Sequence, residues 1–130
     1  FTNRKKEVVK AHKVYFVDNG LRNYLIGNLD FTEERQDIGA LLEGAVFLGF
    51  KKRNGRAKLY FWRTQNKAEV DFILEDVQKL YPLEVNKGGK STRALYAFMS
   101  YYKEEKGYVI YPGAFSEKGN ICFIPVWWIA

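Results

Sequence analysis

Glu69-Val70-Asp71-Phe72-Ile73-Leu74 (69–74) and Leu80-Tyr81-Pro82-Leu83-Glu84-Val85-Asn86 (80–86) decide the fold of this chain. Both stretches are rich in β-branched and aromatic residues and carry the alternation of half-buried strands. The connection from Glu75 to Lys79 is short enough for an antiparallel hairpin. Side chains alternate along a strand, so Val70, Phe72 and Leu74 should share one face and Glu69 and Asp71 the other. Leu83 and Val85 should likewise oppose Glu84 and Asn86. If the polar faces of the two strands coincide, Asp71 and Glu84 meet on one side of the sheet.

Working outward, Leu59-Tyr60-Phe61-Trp62-Arg63 reads as a strand joined to Glu69 by the short connection Thr64 to Ala68. Ahead of it, Ile38, Leu41, Leu42, Ala45, Val46 and Gly49 follow helical spacing. Glu43 falls roughly 130° from the middle of that apolar arc and points sideways along the sheet edge or toward solvent. The helix stops where Lys51 to Gly55 signal a turn. Further upstream, Lys13 to Val17 reads as a short strand. Asp18 caps a short helix with Leu21, Tyr24 and Leu25 on one face, ending near Gly27. Beyond the central strands, Gly88-Gly89 breaks the chain and Ser91 or Thr92 caps a helix whose apolar face is Leu95, Phe98, Met99 and Tyr102. Gly107 to Tyr111 reads as a strand. Ile121 to Trp128 reads as the last one, placed at a sheet edge by Pro125. In that strand Trp127 and Trp128 would face opposite ways, one toward the core and one toward solvent. This order of helix, three strands, helix and strand, with strands at both ends, is α/β with a mixed sheet flanked by helices.

Composition narrows the function classes. At 130 residues the chain is one domain by size, and 47% hydrophobic residues exclude disorder. Nine Tyr, ten Phe and three Trp suit strands and large core side chains. One cysteine, Cys122, forbids an internal disulfide and fits a reducing, cytoplasmic compartment. One histidine, His12, excludes His-based metal sites and a Ser-His triad. No apolar run reaches the length of a membrane span, so no membrane partner is expected. The net charge is +6. Arg4, Lys5, Lys6, Lys10 and Lys13 are answered only by Glu7, and Lys51, Lys52, Arg53, Arg56 and Lys58 by no acid. Such clusters suit phosphate, or else a solvated helix end.

Carboxylates inside apolar segments need a partner, because burying an unpaired charge is costly. Asp71 and Glu84 together would repel unless a cation lay between them. Oxygen ligands of this kind suit Mg²⁺ or Mn²⁺, with Glu43 orienting a metal-bound water. The alternative is an ordinary strand face, on which Glu69 or Asp71 pairs with Lys58 or Arg63.

Lys13-Val14-Tyr15-Phe16-Val17-Asp18-Asn19-Gly20-Leu21 resembles the opening segment of the C-terminal domain of unknown function found on prokaryotic AAA-type ATPases, a domain with a PD-(D/E)XK nuclease-like fold. Gly39-Ala40-Leu41-Leu42-Glu43, Tyr60-Phe61-Trp62-Arg63, Glu69-Val70-Asp71-Phe72, Pro82-Leu83-Glu84-Val85 and Ile124-Pro125-Val126 resemble further motifs of that family, in its order. The resemblance implies a restriction-endonuclease-like three-layer core over residues 13–130, with residues 1–12 finishing an upstream, winged-helix segment. It also implies a covalently linked upstream ATPase domain, the place for ATP, since Gly88-Gly89-Lys90-Ser91 is too short for a Walker A loop. It places Glu43, Asp71 and Glu84 at the acidic positions of the nuclease motif, with Mg²⁺ or Mn²⁺ on Asp71 and Glu84.

Two positions depart from the family pattern. Asn86 stands where the motif lysine should lie, and Lys87 follows on the opposite strand face, able to substitute only if a bulge re-aims it. Gly44 stands where the family carries Asn. These departures favour a non-catalytic or weakly active module that binds nucleic acid or a partner. The alternative is a Mg-dependent nuclease acting on DNA or RNA, with Glu43, Asp71, Glu84 and Lys87 as its catalytic residues.

Overall fold

The computed structural model describes residues 13–32, 34–53, 58–88 and 92–130. Two helices lead: α1 (Asn19–Leu25) and α2 (Ile38–Arg53). Three strands follow, β1 (Lys58–Arg63), β2 (Glu69–Asp76) and β3 (Lys79–Val85), then α3 (Arg93–Tyr102). The chain closes with β4 (Gly107–Tyr111), β5 (Ser116–Lys118), β6 (Ile121–Pro125) and a 3₁₀ turn, Val126–Trp128.

The strands form one mixed sheet in the order β1-β2-β3-β4-β6-β5. β1, β2 and β3 are antiparallel hairpin neighbours, as their short connections require. β3, β4 and β6 run parallel, with α3 as the crossover between the first two. Leu95, Phe98, Met99 and Tyr102 of α3 pack on Val70, Ile73, Leu80, Val109 and Ile121. On the opposite face Val46, Leu42, Phe47 and Phe50 of α2 pack on Phe72, Leu83, Val85 and Ile110. The result is three layers, helix on sheet on helix, with an apolar core on each face of the sheet.

Several expectations are corrected. Lys13 to Val17 is not a strand. Val14 and Val17 are 85% and 81% exposed, while Tyr15 packs inward, its ring stacked 4.4 Å from that of Phe47. Leu21, Tyr24 and Leu25 are exposed, and α1 buries no residue. Its Asp18 cap is as expected, accepting from the Leu21 N–H at 2.7 Å. β6 is an interior strand, because the polar β5 pairs along its outer side and takes the edge. Pro125 is tolerated as its last residue, paired with Tyr111. Both Trp127 and Trp128 are exposed, since the chain leaves the sheet before reaching them. Of the caps expected for α3, Ser91 lies outside the described residues, and Thr92 is the N-cap without a side-chain bond.

One irregularity matters for the site. Tyr60 pairs with Ile73 but Trp62 pairs with Val70, so Asp71 and Phe72 together oppose Phe61. This is a β-bulge, and it breaks the simple alternation. Val70 joins the α3-side core while Phe72 joins the α2-side core. The expectation that these two share a face fails for that reason.

Candidate functional site

At the bulge the pairing of β2 with β3 ends at Phe72 opposite Leu83. Beyond it a side chain continues the ladder, as Asp71 Oδ2 accepts from the Val85 N–H at 2.9 Å. Its other oxygen, Oδ1, lies 3.2 Å from Lys13 Nζ. The same ammonium lies 2.9 Å from Glu43 Oε1 and 2.6 Å from Glu69 Oε1. Tyr15 donates its hydroxyl to Glu43 Oε1. The second oxygen of Glu69 accepts from Arg63 Nε at 3.0 Å. Three carboxylates from α2 and β2 therefore converge on one lysine from the segment before α1, with Arg63 closing the outer side.

Burial governs the electrostatics. It pushes the Asp71 carboxyl up from its usual value, opposed by the Val85 N–H and reinforced by the Glu43 charge. Burial also acts to raise Glu69, but the hydrogen bonds from Lys13 and Arg63 outweigh it and hold Glu69 low. For Lys13 burial works against the charge, yet the bonds to Glu69 and Glu43 and the charge of Asp71 raise it well above an ordinary lysine. Tyr15 is likewise pushed up, by burial and by the Glu43 carboxylate it serves. Lys13 thus stays an ammonium and Tyr15 a neutral donor.

Lys13 and Tyr15 also form the wall between two clefts. One, of about 340 Å³, is lined by Asn19, Arg22, Ala40, Glu43 and Gly44 besides them. The other, of about 230 Å³, is lined by Phe47, Phe61, Asp71 and Phe72. Gly44 has a structural reason here. A Cβ at this position would lie 2.7 Å from Asn19 Oδ1, and Asn19 Nδ2 donates to the Leu41 carbonyl at 3.0 Å. The absent side chain makes room for α1 to dock on α2.

The structure brings Glu43 and Asp71 together through Lys13, whereas strand alternation leads to the expectation that Asp71 meets Glu84. Glu84 stands apart. It lies between Leu83 and Val85, which face α2, and it pairs with Val109, which faces α3. Alternation therefore turns Glu84 to the α3 face. Asn86 continues the β4 register through its N–H to the Ile110 carbonyl at 3.1 Å, and Lys87 is exposed in the bend beyond. With the ammonium seated among Glu43, Glu69 and Asp71, the site does not fit a divalent ion. Among the described residues no group of three or more His, Cys, Asp and Glu is placed to hold a metal. The pairing of Glu69 with Arg63 is the alternative foreseen for an ordinary strand face.

Sequence reasoning missed Lys13 and Tyr15 as site residues. The signal was present, because residues two apart in an extended segment share a side, and these two are the polar-tipped pair of Lys13-Val14-Tyr15.

A family profile described as a domain of unknown function, DUF4143, matches residues 38–129. The match contains Glu43, Glu69 and Asp71 and begins after Lys13, whereas the resemblance was expected from Lys13 onward. Two curated relatives, the uncharacterized protein Mb2031c of Mycobacterium bovis and the uncharacterized protein Rv2008c of Mycobacterium tuberculosis, are each 33% identical over 89 residues. The aligned stretch covers 67% of this chain and 20% of each relative. The chain thus spans about a fifth of the length of the curated relatives it matches.

Proposed function

The chain belongs to the DUF4143 family of domains of unknown function, and from that premise we propose that it is a non-catalytic binding module for nucleic acid or a protein partner, built on a restriction-endonuclease-like scaffold and carried at the C-terminal end of an AAA-type ATPase. The three-layer architecture and the hairpin-plus-crossover order of its strands are compatible with such a scaffold. The aligned stretch is only 20% of each curated relative, and the remainder leaves room for an ATPase module, which would hold the ATP.

One observation carries the non-catalytic reading: the Lys13 ammonium sits within 2.6–3.2 Å of Glu43, Glu69 and Asp71. A metal-dependent nuclease needs a divalent ion with open positions for water and phosphate among such acids. A tethered ammonium offsets part of the acids' charge and supplies no water to activate. Glu84, the acid that would complete the motif, faces the other side of the sheet.

The test is Mg²⁺- and Mn²⁺-dependent cleavage of plasmid and single-stranded substrates by the wild type and by Asp71→Asn. Neither protein should cleave. Cleavage by the wild type that Asp71→Asn abolishes would overturn the proposal in favour of a metal-dependent nuclease.

A further inference from the structure

A second face of the molecule takes no part in the acid cluster. The turn after β6 holds Trp127 and Trp128 at 59% and 54% exposure, and Phe115, just before β5, is 50% exposed. The rings of Phe115 and Trp128 are parallel, 5.6 Å apart with 17° between their planes. Val126 and Ile129, on the inner side of the turn, pack into the α2-side core. The rings are thus displayed from an anchored base.

The turn also rests on the C-terminal end of α2. A Cβ at Gly49 would lie 1.9 Å from the Ile129 carbonyl oxygen, so the two backbones touch. Arg53 donates from its guanidinium to the Trp128 carbonyl. Lys52 and Arg53 follow Gly49 by three and four residues, which puts both on the flank of α2 that the turn covers. Both are exposed, and no acid occurs between Gly44 and Lys58. Glu117, the one acid between Pro112 and Ile121, is engaged by Lys106 at 3.6 Å and by the Cys122 thiol at 3.0 Å.

We propose that this face binds single-stranded nucleic acid, with bases stacking on Phe115, Trp127 and Trp128 and phosphates on Lys52 and Arg53. The inference rests on reading the domain as a binding module and names its ligand class and surface. Exposed aromatic rings beside cations that have no ion pair among the described residues match the two needs of an unpaired strand, a stacking platform and a phosphate track. A duplex hides its base faces within its own stack and cannot use the rings. An apolar patch of this kind, rimmed by charge, marks an interaction surface.

The test is fluorescence anisotropy of a labelled oligothymidylate about 15 nucleotides long, in EDTA so that no cleavage intervenes. Trp127→Ala and Trp128→Ala should each weaken binding by about tenfold or more without lowering Tm, since both side chains are exposed. Two phosphate contacts should give a log–log salt slope of about −1.4, and Lys52→Ala should reduce its size by about 0.7. A blunt duplex of the same length should bind far more weakly. Absence of binding, binding indifferent to both Trp substitutions, or equal affinity for the duplex would each overturn the proposal. Concentration-dependent self-association lost in Trp128→Ala, with no oligonucleotide bound, would overturn it in favour of a contact between copies of this chain. Metal-dependent cleavage would sink the non-catalytic reading alone, because the EDTA titrations measure this face separately.

Discussion

Replacing Lys13 by Met removes the one cation among the described residues shared by Glu43, Glu69 and Asp71 and keeps most of the side-chain volume. The lysine side chain is 19% exposed and its three partners are 23%, 25% and 17% exposed, so the cluster is mostly but not wholly withdrawn from water. Breaking a fully buried pair costs about 3–5 kcal/mol, and an exposed one under about 1. About one-fifth exposure puts Lys13→Met at roughly 2–4 kcal/mol, or about 10 °C in Tm for a chain of this size. Among the described residues, the three carboxylates would then be answered only by Arg63, which is half exposed.

The pH dependence has a defined sign. Lys13 is raised in the folded state, so its contribution is fully present below the ordinary lysine value near 10.5 and is lost as pH rises beyond it. Glu69 is lowered, so its contribution is present above the ordinary carboxylate range and is lost as pH falls. Asp71 is raised, so acid protonates it early and relieves the repulsion in the variant. The gap between wild type and Lys13→Met should therefore be widest between about pH 6 and pH 10 and shrink on either side. Urea melts followed by circular dichroism across pH 4–11 measure it. Adding Glu69→Gln to Lys13→Met should restore part of the loss by removing one repelling charge. A variant within about 0.5 kcal/mol of wild type at pH 7.5, or a gap that does not change with pH, would refute this account of the cluster.

Three further outcomes are expected. Gly49→Ala should lose about 1–3 kcal/mol, because the new Cβ meets the Ile129 backbone 1.9 Å away and cannot rotate clear; a gain in Tm, the helix-propensity outcome, would show that the terminal turn yields instead. Asp18→Ala should cost about 1 kcal/mol within α1. As α1 buries no residue, faster amide exchange at residues 19–25 with an unchanged global melt is the expected signature. Asp37 is held well below the usual carboxylate range by hydrogen bonds from Arg35 and Arg22. Its contribution is present above the ordinary value near 3.8 and fades only as pH falls through the lower folded value. Limited proteolysis at pH 4 should therefore spare the connection between α1 and α2 in the wild type and cut it in Asp37→Asn.

Local pattern carried most of the fold. The three hairpin strands, α2, α3 and β4 follow from apolar periodicity and short connections, which are decided by neighbours in sequence. What escaped depended on distant partners. β5 is three polar residues, Ser116-Glu117-Lys118, which contribute backbone bonds and no apolar signal, so the edge position that Pro125 suggests falls to β5 instead. The bulge at Asp71 and Phe72 is set by pairing with β1, which alternation within β2 cannot reveal. Glu43 and Asp71 stand out individually as acids in apolar segments, but the pairing the strands suggest is Asp71 with Glu84, which the bulge at Asp71 and Phe72 prevents. Lys13 does not stand out, since a lysine in a basic stretch looks like a solvated one until α2 and β2 are in place.

That last dependence reaches into folding kinetics. Lys13 lies 30 residues from Glu43 and 58 from Asp71 along the chain. Its three contacts need α2 docked and the β2 bulge formed, which predicts that they form late in assembly. Interactions absent from the transition state change unfolding far more than folding. Lys13→Met should then leave the refolding limb of a chevron nearly untouched and steepen the loss of the native state, which makes this lysine a latch that slows opening rather than a nucleus that guides closing.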